Sequence, residues 1–294
     1  MAAYQRRAVF AQIILIHDSS RQPIVPANDS VLAKLVALDF DKTSNRIQEF
    51  IAGYVRDASA EGIVIGLSGG LDSSVAAKLC VKALGKGNVL GLVLPSKETP
   101  LQDVNDAKAL ARELGIRSKT IDIEPIVDKF MQVLPNEKKT KGNLMARIRM
   151  SILYHHAYDE KRLVVGTSDK SEFLIGYYTK YGDGGADLLP IADLYKTQVR
   201  ALGAFLGVPK TILQKKSSPA LWKGHLAEKE IGMEYEVLDP ILHLLVDKKM
   251  DAKEVAEKLG TNIAKVKKVQ EMIKGSGHKR VTAKIAYLSP PALP

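Results

Sequence analysis

The sequence contains little cysteine: Cys80 is the one thiol among 294 residues. A single thiol cannot form an internal disulfide, which argues against a disulfide-stapled secreted scaffold and indicates a reducing compartment, so we expect a cytoplasmic protein. Zinc-type spacings of cysteine and histidine are absent, and so is the Gly-x-Ser-x-Gly turn of serine hydrolases. Zinc chemistry and hydrolase triads therefore have no support in the sequence.

Long hydrophobic runs are missing as well. No apolar run approaches the roughly 20 residues that cross a membrane. Residues 8–16 are mostly apolar and follow Arg6 and Arg7, but the polar segment 17–21 stands where a signal peptide would have a small-residue cleavage site. We interpret residues 1–28 as an N-terminal extension, either an extra strand or a loosely attached segment, and expect no membrane association.

The amounts of apolar and charged residues limit the class of protein. With 46% hydrophobic residues in 294, the chain can bury a large core as one large domain or two small ones. Basic residues number 43 against 33 acidic ones, which gives a formal net charge of +10. This balance favours anionic partners, but nucleotides satisfy it as well as nucleic acid does.

A strand, a glycine-rich turn and a helix are predicted between residues 62 and 85. Residues 62–67 form an apolar, β-branched run of strand length. Behind the turn, Val75, Leu79 and Ala83 recur at helical spacing, and Gly85 ends the helix. This order aims free backbone N–H groups and the positive end of a helix at an anion.

The turn itself reads Ser68-Gly69-Gly70-Leu71-Asp72-Ser73-Ser74. Its glycines let a phosphate approach the backbone, and its serines add hydroxyl donors. A carboxylate beside a polyphosphate is repelled unless a divalent cation lies between them, so Asp72 predicts Mg²⁺. No lysine follows the glycines, so the turn is not a Walker A loop. The alternative is an ordinary strand-to-helix turn, which needs neither the paired hydroxyls nor the acid.

The pattern Ser-Gly-Gly-x-Asp-Ser resembles the phosphate loop of the ATP pyrophosphatases, also called the PP-loop superfamily. Members of that superfamily split ATP into AMP and pyrophosphate to activate a carbonyl-type oxygen. The resemblance indicates the class of chemistry and leaves the substrate open.

Strands alternate with helices over much of the chain. Further strands are predicted at 89–94, 120–123 and 162–166, and helices at 29–60 with a break near 39–41, 103–114, 143–159 and 199–206. This alternation predicts an α/β fold, a doubly wound parallel sheet with helices on both faces. Ligands bind beyond the carboxyl ends of the strands of such sheets, where the glycine-rich turn would lie.

Several polar groups outside the turn are candidates for ligand binding. Asn143 and Arg147 share a helix face and could reach one ligand, whereas Arg149 points elsewhere. A solvated basic face is the alternative. Residues 176–187 are rich in glycine, aromatic and acidic residues, which suits a ligand-binding loop. The triplet 278–280 could close over phosphates or form a surface tail.

The C-terminal residues 253–259 and 263–273 predict two helices joined by a turn. Lys265, Lys267 and Lys268 lie on the second helix, so a DNA-binding helix pair is one interpretation. Two helices that close a domain and carry solvated lysines are the other.

Taken together, these blocks resemble the ammonia-dependent NAD⁺ synthetases over residues 29–280. The blocks are the phosphate loop, Asn143 with Arg147, Gly166-Thr167 with Glu172, residues 176–187, 194–198, 221–224, 228–232 and 278–280. The Thr-Lys-Tyr-Gly-Asp-Gly block is the most specific of them. The resemblance implies one domain, residues 29–294, with the Rossmann-like fold of adenine nucleotide alpha hydrolases followed by C-terminal helices.

The resemblance also implies a reaction. The nicotinate carboxylate of deamido-NAD⁺ attacks the α-phosphorus of ATP, diphosphate leaves, and ammonia converts the acyl-adenylate into NAD⁺ and AMP. The family works as a homodimer and needs neither nucleic acid nor a membrane. Glutamine-using relatives carry an additional amidase domain with its own cysteine, for which residues 1–28 are too few, so we expect ammonia to be the donor.

By this resemblance, individual residues acquire expected roles. ATP would be bound by Gly66, Leu67, Ser68, Gly69, Gly70, Leu71, Asp72, Ser73, Ser74, Thr167, Lys196 and Ser218. Deamido-NAD⁺ would be bound by Asn143, Arg147, Lys180, Asp183, Asp187, His278 and Lys279. Mg²⁺ would be held by Asp72, Glu172 and Ser218. Asp72, Lys196 and Asp183 would act in catalysis, with Asp183 close to the nicotinate and the incoming ammonia.

Two departures from the family pattern stand out. The usual Gly-Gln-Thr-Asp-Glu is replaced by Gly224-His225-Leu226-Ala227-Glu228. The preceding Pro-Ser/Thr-Ala is replaced by Ser217-Ser218-Pro219. Two other functions remain as alternatives: a tRNA-modifying ATP pyrophosphatase, and a DNA-binding regulator that senses nucleotides.

Overall fold

A computed structural model describes residues 30–283, 285, 286 and 288. The predicted N-terminal extension, residues 1–28, lies outside the described residues. Within them, no helix combines the length and the apolar character needed to cross a membrane.

The centre of the fold is a parallel sheet of four strands in the order β3-β2-β1-β4. The strands are β1 (Ile63–Gly66), β2 (Val89–Val93), β3 (Arg117–Thr120) and β4 (Leu163–Val165). Ile63 is in register with Val89 on one side and with Leu163 on the other. The chain thus builds outward from β1 through β2 to β3 and then crosses to the opposite side of β1. This reversal between β1 and β4 is the switch point at which doubly wound sheets bind ligands.

Helices cover both faces of this sheet and extend beyond it. They are α1 (Val31–Val36), α2 (Phe40–Asp57), α3 (Leu71–Leu84), α4 (Leu101–Leu114), α5 (Glu124–Met131), α6 (Lys138–Asp159), α7 (Lys170–Ile175), α8 (Lys196–Phe205), α9 (Lys210–Leu213), α10 (Ala227–Ile231), α11 (Tyr235–Leu242), α12 (Ala252–Leu259) and α13 (Ile263–Gly275). A single π turn, His243–Asp247, follows α11, and a 3₁₀ turn, Gly277–Lys279, follows α13.

The two faces of the sheet bury different helices because side chains alternate along a strand. Ile63 and Ile65 of β1 pack into a cluster with α2, α3, α4 and α8. Val64, between them, packs into a second cluster with α5 and α6. A third cluster, built mainly from α11, α12 and α13, joins the sheet domain through Tyr195 and Ile175. The α/β fold predicted from the sequence is confirmed.

Some element boundaries differ from those predicted. The third strand is Arg117–Thr120 rather than 120–123, because it is an edge strand whose residues are all exposed and therefore lacks an apolar signal. Helix α6 begins at Lys138, five residues before the start predicted at residue 143. The sequence does not predict the helices α5, α7, α9, α10 and α11, whereas the C-terminal pair, α12 and α13, is confirmed.

Candidate active site

The phosphate loop lies where β1 ends and α3 begins, at the switch point of the sheet. Gly69 has a φ of 75°, and a Cβ there would collide with the carbonyl oxygen of Asp103. Both facts require glycine. The helix that follows is 14 residues long and starts at Leu71 with Gly70 as its N-cap. Its first N–H groups therefore face the cavity described below, as an anion site requires.

Hydroxyl groups brace this loop from within. Ser68 Oγ lies 2.9 Å from Ser73 Oγ, and the N–H of Gly70 donates to Ser68 Oγ at 3.2 Å. Ser74, which is fully buried, donates to the carbonyl of Gly70 at 2.7 Å. Ser74 therefore shapes the loop, while Ser68 and Gly70 line the cavity.

Three carboxylates surround one ammonium group next to the loop. Lys196 Nζ lies 2.7 Å from Asp72 Oδ2, 2.6 Å from Asp169 Oδ2 and 2.9 Å from Glu172 Oε1. The Lys196 side chain is 0% exposed. These acids come from α3 and from the N-terminus of α7, and Lys196 is the first residue of α8. Three helix N-termini thus meet at one charged cluster.

The charges of the cluster do not balance. Burial by itself lowers the pKa of Lys196, but the charges of Asp169, Asp72 and Glu172 outweigh it and raise the pKa well above its usual value. Burial, together with the neighbouring acids, raises the pKa of Asp169 and of Glu172. One ammonium cannot neutralise three carboxylates, so the cluster retains negative charge that a divalent cation would neutralise.

The same acids fit the ligand requirements of Mg²⁺. One oxygen from each of Asp72, Asp169 and Glu172 lies within 4.8 Å of the others. Asp72 Oδ1 is buried and accepts no hydrogen bond from the described residues, so it is available to a cation. Carboxylate oxygens are the protein ligands that Mg²⁺ takes beside a polyphosphate.

Asp169 is the member of this group that sequence reasoning missed. It caps α7 by accepting the N–H of Glu172 at 2.9 Å. The Asp-x-x-Glu spacing after a predicted strand was the available signal. Ser218, expected with the metal, lines the same cavity as Asp72 and Glu172, and its hydroxyl donates to the carbonyl of His225 and accepts the N–H of Ala220.

A buried acid in the C-terminal helices holds the cluster together. Asp239 of α11 accepts hydrogen bonds from the Ser171 hydroxyl at 2.6 Å and from the Thr197 N–H and hydroxyl at 2.9 and 2.8 Å. Ser171 Oγ also accepts the N–H of Lys196 at 3.0 Å. Asp239 therefore joins the start of α7 to the start of α8, the two helices that carry Glu172 and Lys196.

A cavity of about 690 Å³ opens in front of the phosphate loop and the acids. Its walls come from the ends of β1, β2 and β4, from α6, and from the segments 176–183 and 215–230. Such a volume is typical of a pocket for a nucleotide-sized ligand. Thr167, which the family resemblance assigns to ATP, lines the cavity together with Asp72 and Glu172.

The glycine-rich loop 176–187 forms one side of this cavity. Asp183 caps its turn by accepting the N–H of Thr179 at 2.9 Å. A Cβ on Gly184 would collide with the Tyr178 ring, so the turn requires glycine there. Asp183 lines the cavity and is exposed to solvent there, while the protein atoms around the cavity raise the pKa of its carboxyl. Lys279 donates to the carbonyls of Gly176 and Tyr178, so the C-terminal triplet lies against this loop.

Comparison with known proteins identifies the family. The NAD synthase family profile matches residues 43–283, most of the chain. The chain belongs to the NAD synthase family. Enzymes of this family are ligases, and ATP is a substrate.

Individual relatives agree with this assignment. An NH(3)-dependent NAD(+) synthetase from Hyperthermus butylicus is 50% identical over 252 residues, which cover 85% of this chain and 91% of the relative. An NMN synthetase from Francisella tularensis has a similar structure, with a TM-score of 0.74, 37% identity, and coverage of 85% of this chain and 99% of the other. An NH3-dependent NAD synthetase from Campylobacter jejuni gives a TM-score of 0.73 at 29% identity and covers 85% and 100% of the two chains.

The two arginines of α6 face different surfaces, as predicted, but the arginine that shares the main cavity with Asn143 is Arg149 and not Arg147. Asn143 and Arg149 line the main cavity, whereas Arg147 lines a separate groove of about 440 Å³. Asn143 accepts the Thr179 hydroxyl at 2.6 Å, and Arg147 Nε donates to the carbonyl of Lys180 at 3.3 Å. Asn143 and Arg147 thus hold the glycine-rich loop together, but the expectation that Arg149 points elsewhere is wrong.

The remaining dinucleotide candidates lie beside the cavity rather than on its walls. Asp187 accepts the N–H of Val164 at 2.7 Å and the Tyr154 hydroxyl at 3.1 Å. Lys180 Nζ donates to the carbonyl of His278 at 2.6 Å. These contacts fasten the glycine-rich loop to β4, to α6 and to the C-terminal triplet.

The departures from the family pattern produce a compact aromatic cluster. The His225 ring stacks on Trp222 with centroids 3.5 Å apart, and His225 Nε2 lies 2.8 Å from Glu230 Oε2. The Tyr177 hydroxyl donates to the same carboxylate at 3.1 Å. Leu226 is the N-cap of α10, and Ala227 is buried as its first residue. His225 therefore packs this loop against the cavity wall.

Proposed function

We propose that this chain forms NAD⁺ from deamido-NAD⁺, ammonia and ATP, releasing AMP and diphosphate. The observation that carries the proposal is the position of Asp72, Asp169 and Glu172 beside the phosphate loop, in a cavity of about 690 Å³. The length of the match supports it, because 91% of the Hyperthermus butylicus relative is covered. Both substrates are anions and repel each other. Their approach therefore requires positive charge arranged in advance, and a metal ion held by the acids would supply it.

On the ATP side, we assign the polyphosphate to the N–H groups and hydroxyls of the loop 68–73. Gly66, Leu67 and Leu71 also line the cavity there. Lys196 orients Asp72 and Glu172 by direct contact. Mg²⁺ would be held by Asp72, Glu172 and Asp169, and when bound it would neutralise phosphate charge.

On the dinucleotide side, we assign the nicotinate to the wall formed by Asn143 and Asp183. Asp183 lines this wall, and its carboxylate would accept a proton released when ammonia attacks. Lys279 closes the same wall by its bonds to the glycine-rich loop. Arg147, Lys180, Asp187 and His278 would support the dinucleotide from the neighbouring surface.

We further propose a homodimer that forms through α5 and α6. Phe130 and Tyr158 of these helices are 42% and 91% exposed, and Ile126 and Leu144 line the apolar groove that contains Arg147. Exposed apolar residues that lie together in this way are typical of an interface. Dimerisation would bring Arg147, which faces away from its own cavity, into contact with a partner. We place the enzyme in a reducing compartment, the cytoplasm, because a single cysteine can form no internal disulfide.

The decisive experiment is product analysis. The pure protein is incubated with ATP, Mg²⁺, deamido-NAD⁺ and ammonium, and NAD⁺, AMP and diphosphate are quantified by mass spectrometry and enzymatic assay. We expect one AMP and one diphosphate for each NAD⁺. Release of ADP and inorganic phosphate instead would place the reaction at the γ-phosphorus and contradict the proposal.

The likeness to the Francisella tularensis NMN synthetase supports a second acceptor, the mononucleotide acid corresponding to deamido-NAD⁺. The same assay, run with deamido-NAD⁺ and the mononucleotide acid at equal concentrations, distinguishes these two proposed acceptors. A higher kcat/KM for the dinucleotide supports the first proposal, and a higher value for the mononucleotide supports the second.

A further inference from the structure

The cations on the wall of the main cavity differ in how they are neutralised. Lys139 is paired with Glu230 at 3.0 Å, and Lys215 with Asp103 at 2.6 Å. Lys279 donates both of its hydrogen bonds to backbone carbonyls. Among the described residues, Arg149 forms no ion pair with any carboxylate. Its positive charge therefore faces the cavity without a neutralising carboxylate from the described residues.

The spacing of residues along α6 explains why Arg149 faces the cavity. Asn143, Ala146 and Arg149 follow one another at intervals of three residues and all line the cavity, so they form one stripe along the helix. Arg149 Nε donates to the carbonyl of Leu94, just beyond the end of β2, at 2.9 Å. This bond fixes the direction of the guanidinium. Its two terminal nitrogens donate to no acceptor in the part of the chain that the structure describes.

A partly buried guanidinium without an acid partner is costly unless a ligand supplies the anion. Burial lowers the pKa of Arg149 to about 10, while the charge of Asp183 raises it, so the side chain is still charged at neutral pH. The planar fork of guanidinium N–H groups matches the two oxygens of a carboxylate.

We propose that Arg149 binds the carboxylate of the nicotinate ring and holds it for attack on ATP. The proposal rests on the proposed function. Two observations favour a carboxylate over a phosphate. Arg149 lies on the same stripe of α6 as Asn143, which contacts Thr179 of the glycine-rich loop. The phosphate loop also has hydrogen-bond donors of its own. Arg149 would also reduce the repulsion between this carboxylate and the α-phosphate.

The test compares the acid with its own amide. Deamido-NAD⁺ and NAD⁺ differ at the group that Arg149 is proposed to bind, so their affinities are measured by calorimetric titration for wild type and for Arg149→Gln. We expect the variant to lose about tenfold or more in affinity for deamido-NAD⁺ and less than about threefold for NAD⁺. Equal losses for both ligands would assign Arg149 to the phosphates and overturn the proposal, as would unchanged affinities.

Two further variants make the result specific. Arg149→Lys keeps the charge without the fork, so its loss for the acid should be intermediate, and it replaces the glutamine variant if that protein does not fold. Arg112→Gln removes an exposed arginine of α4 outside the cavity and should bind both ligands as wild type does. If wild type makes no NAD⁺ but binds the acid through Arg149, the proposed function fails while this inference stands.

Discussion

Lys196 Nζ and Asp72 Oδ2 lie 2.7 Å apart although 124 residues separate them in the chain. The contact joins the first turn of α8 to the first turn of α3, so it links the phosphate loop to the acids of α7. A lysine at the start of a helix is unfavourable for the helix dipole. The three carboxylates around its ammonium group offset that cost, and they explain how Lys196 can be fully buried.

Replacing Lys196 by methionine should therefore destabilise the protein and increase its response to Mg²⁺. The variant leaves three acids without their cation, and breaking a buried ion pair costs on the order of 3–5 kcal/mol. Because the cluster then carries more negative charge, Mg²⁺ should raise the melting temperature of Lys196→Met more than that of wild type. Thermal unfolding with and without Mg²⁺ measures both effects. An equal Mg²⁺ shift in the two proteins would contradict a metal site at these acids.

Asp72→Asn nearly preserves the shape of the side chain but removes its charge. We expect turnover to fall by about 10²-fold or more, because a contact that acts in the transition state is lost, while deamido-NAD⁺ affinity changes little. Steady-state kinetics at saturating Mg²⁺ and titration of the dinucleotide test the two parts. Wild-type turnover in the variant would show that Asp72 does not hold the metal ion.

Asp239 should make stability depend on pH. Burial raises its native pKa to about 7, and the hydrogen bonds from Ser171 and Thr197 partly oppose this. The unfolded side chain titrates near about 4. The stabilising contribution is therefore fully present below pH 4 and is lost progressively as pH rises to 7, because the unfolded state ionises first. Urea unfolding of wild type and Asp239→Asn across this range should show a steeper decline in wild type. Parallel curves would show that Asp239 is ionised throughout.

Trp222, the only tryptophan, reports on His225 by fluorescence. Burial lowers the pKa of His225, although Glu230 opposes this, and Lys138 over the Trp222 ring lowers it further. The stacked imidazole should stay neutral at pH 7 and quench the indole only when it becomes charged in more acidic solution. We expect Trp222 emission to fall at acidic pH in wild type and to stay level in His225→Gln. Lys223→Ala, an exposed position in the same loop, serves as the control and should behave as wild type. A pH-independent wild type would show that the rings do not stack in solution.

The nitrogen donor should be ammonia itself. Cys80 is fully buried in α3, and burial raises the pKa of its thiol to about 12, so it cannot act as the nucleophile that releases ammonia from glutamine. Cys80→Ser should retain activity. Since the unprotonated amine attacks, the apparent KM for ammonium should fall as pH rises towards about 9. Initial rates with ammonium or ammonia-free glutamine at several pH values decide this, and turnover of glutamine by the pure chain would refute it.

The sequence by itself determined the phosphate loop, the alternation of strands and helices, and the family. These features depend on neighbours in the chain: a β-branched run before Ser68, two glycines, and apolar residues at helical spacing after Asp72. Local periodicity and turn-forming residues can be recognised without knowing how the rest of the chain packs. Even so, the edge strand Arg117–Thr120 was placed three residues too far along, since no buried face marks it.

Only the tertiary structure decided which side chains meet. Asp169 joins Asp72 and Lys196 because three helix N-termini converge beyond the sheet, and no spacing in the sequence reveals that convergence. Arg149 faces the cavity and Arg147 the outer groove because α6 lies against the sheet in one particular rotation. The rotation of α6 and the convergence of the three helix N-termini are set by packing between segments that are distant in the sequence. A shift of one residue along a helix turns the side-chain direction by about 100°.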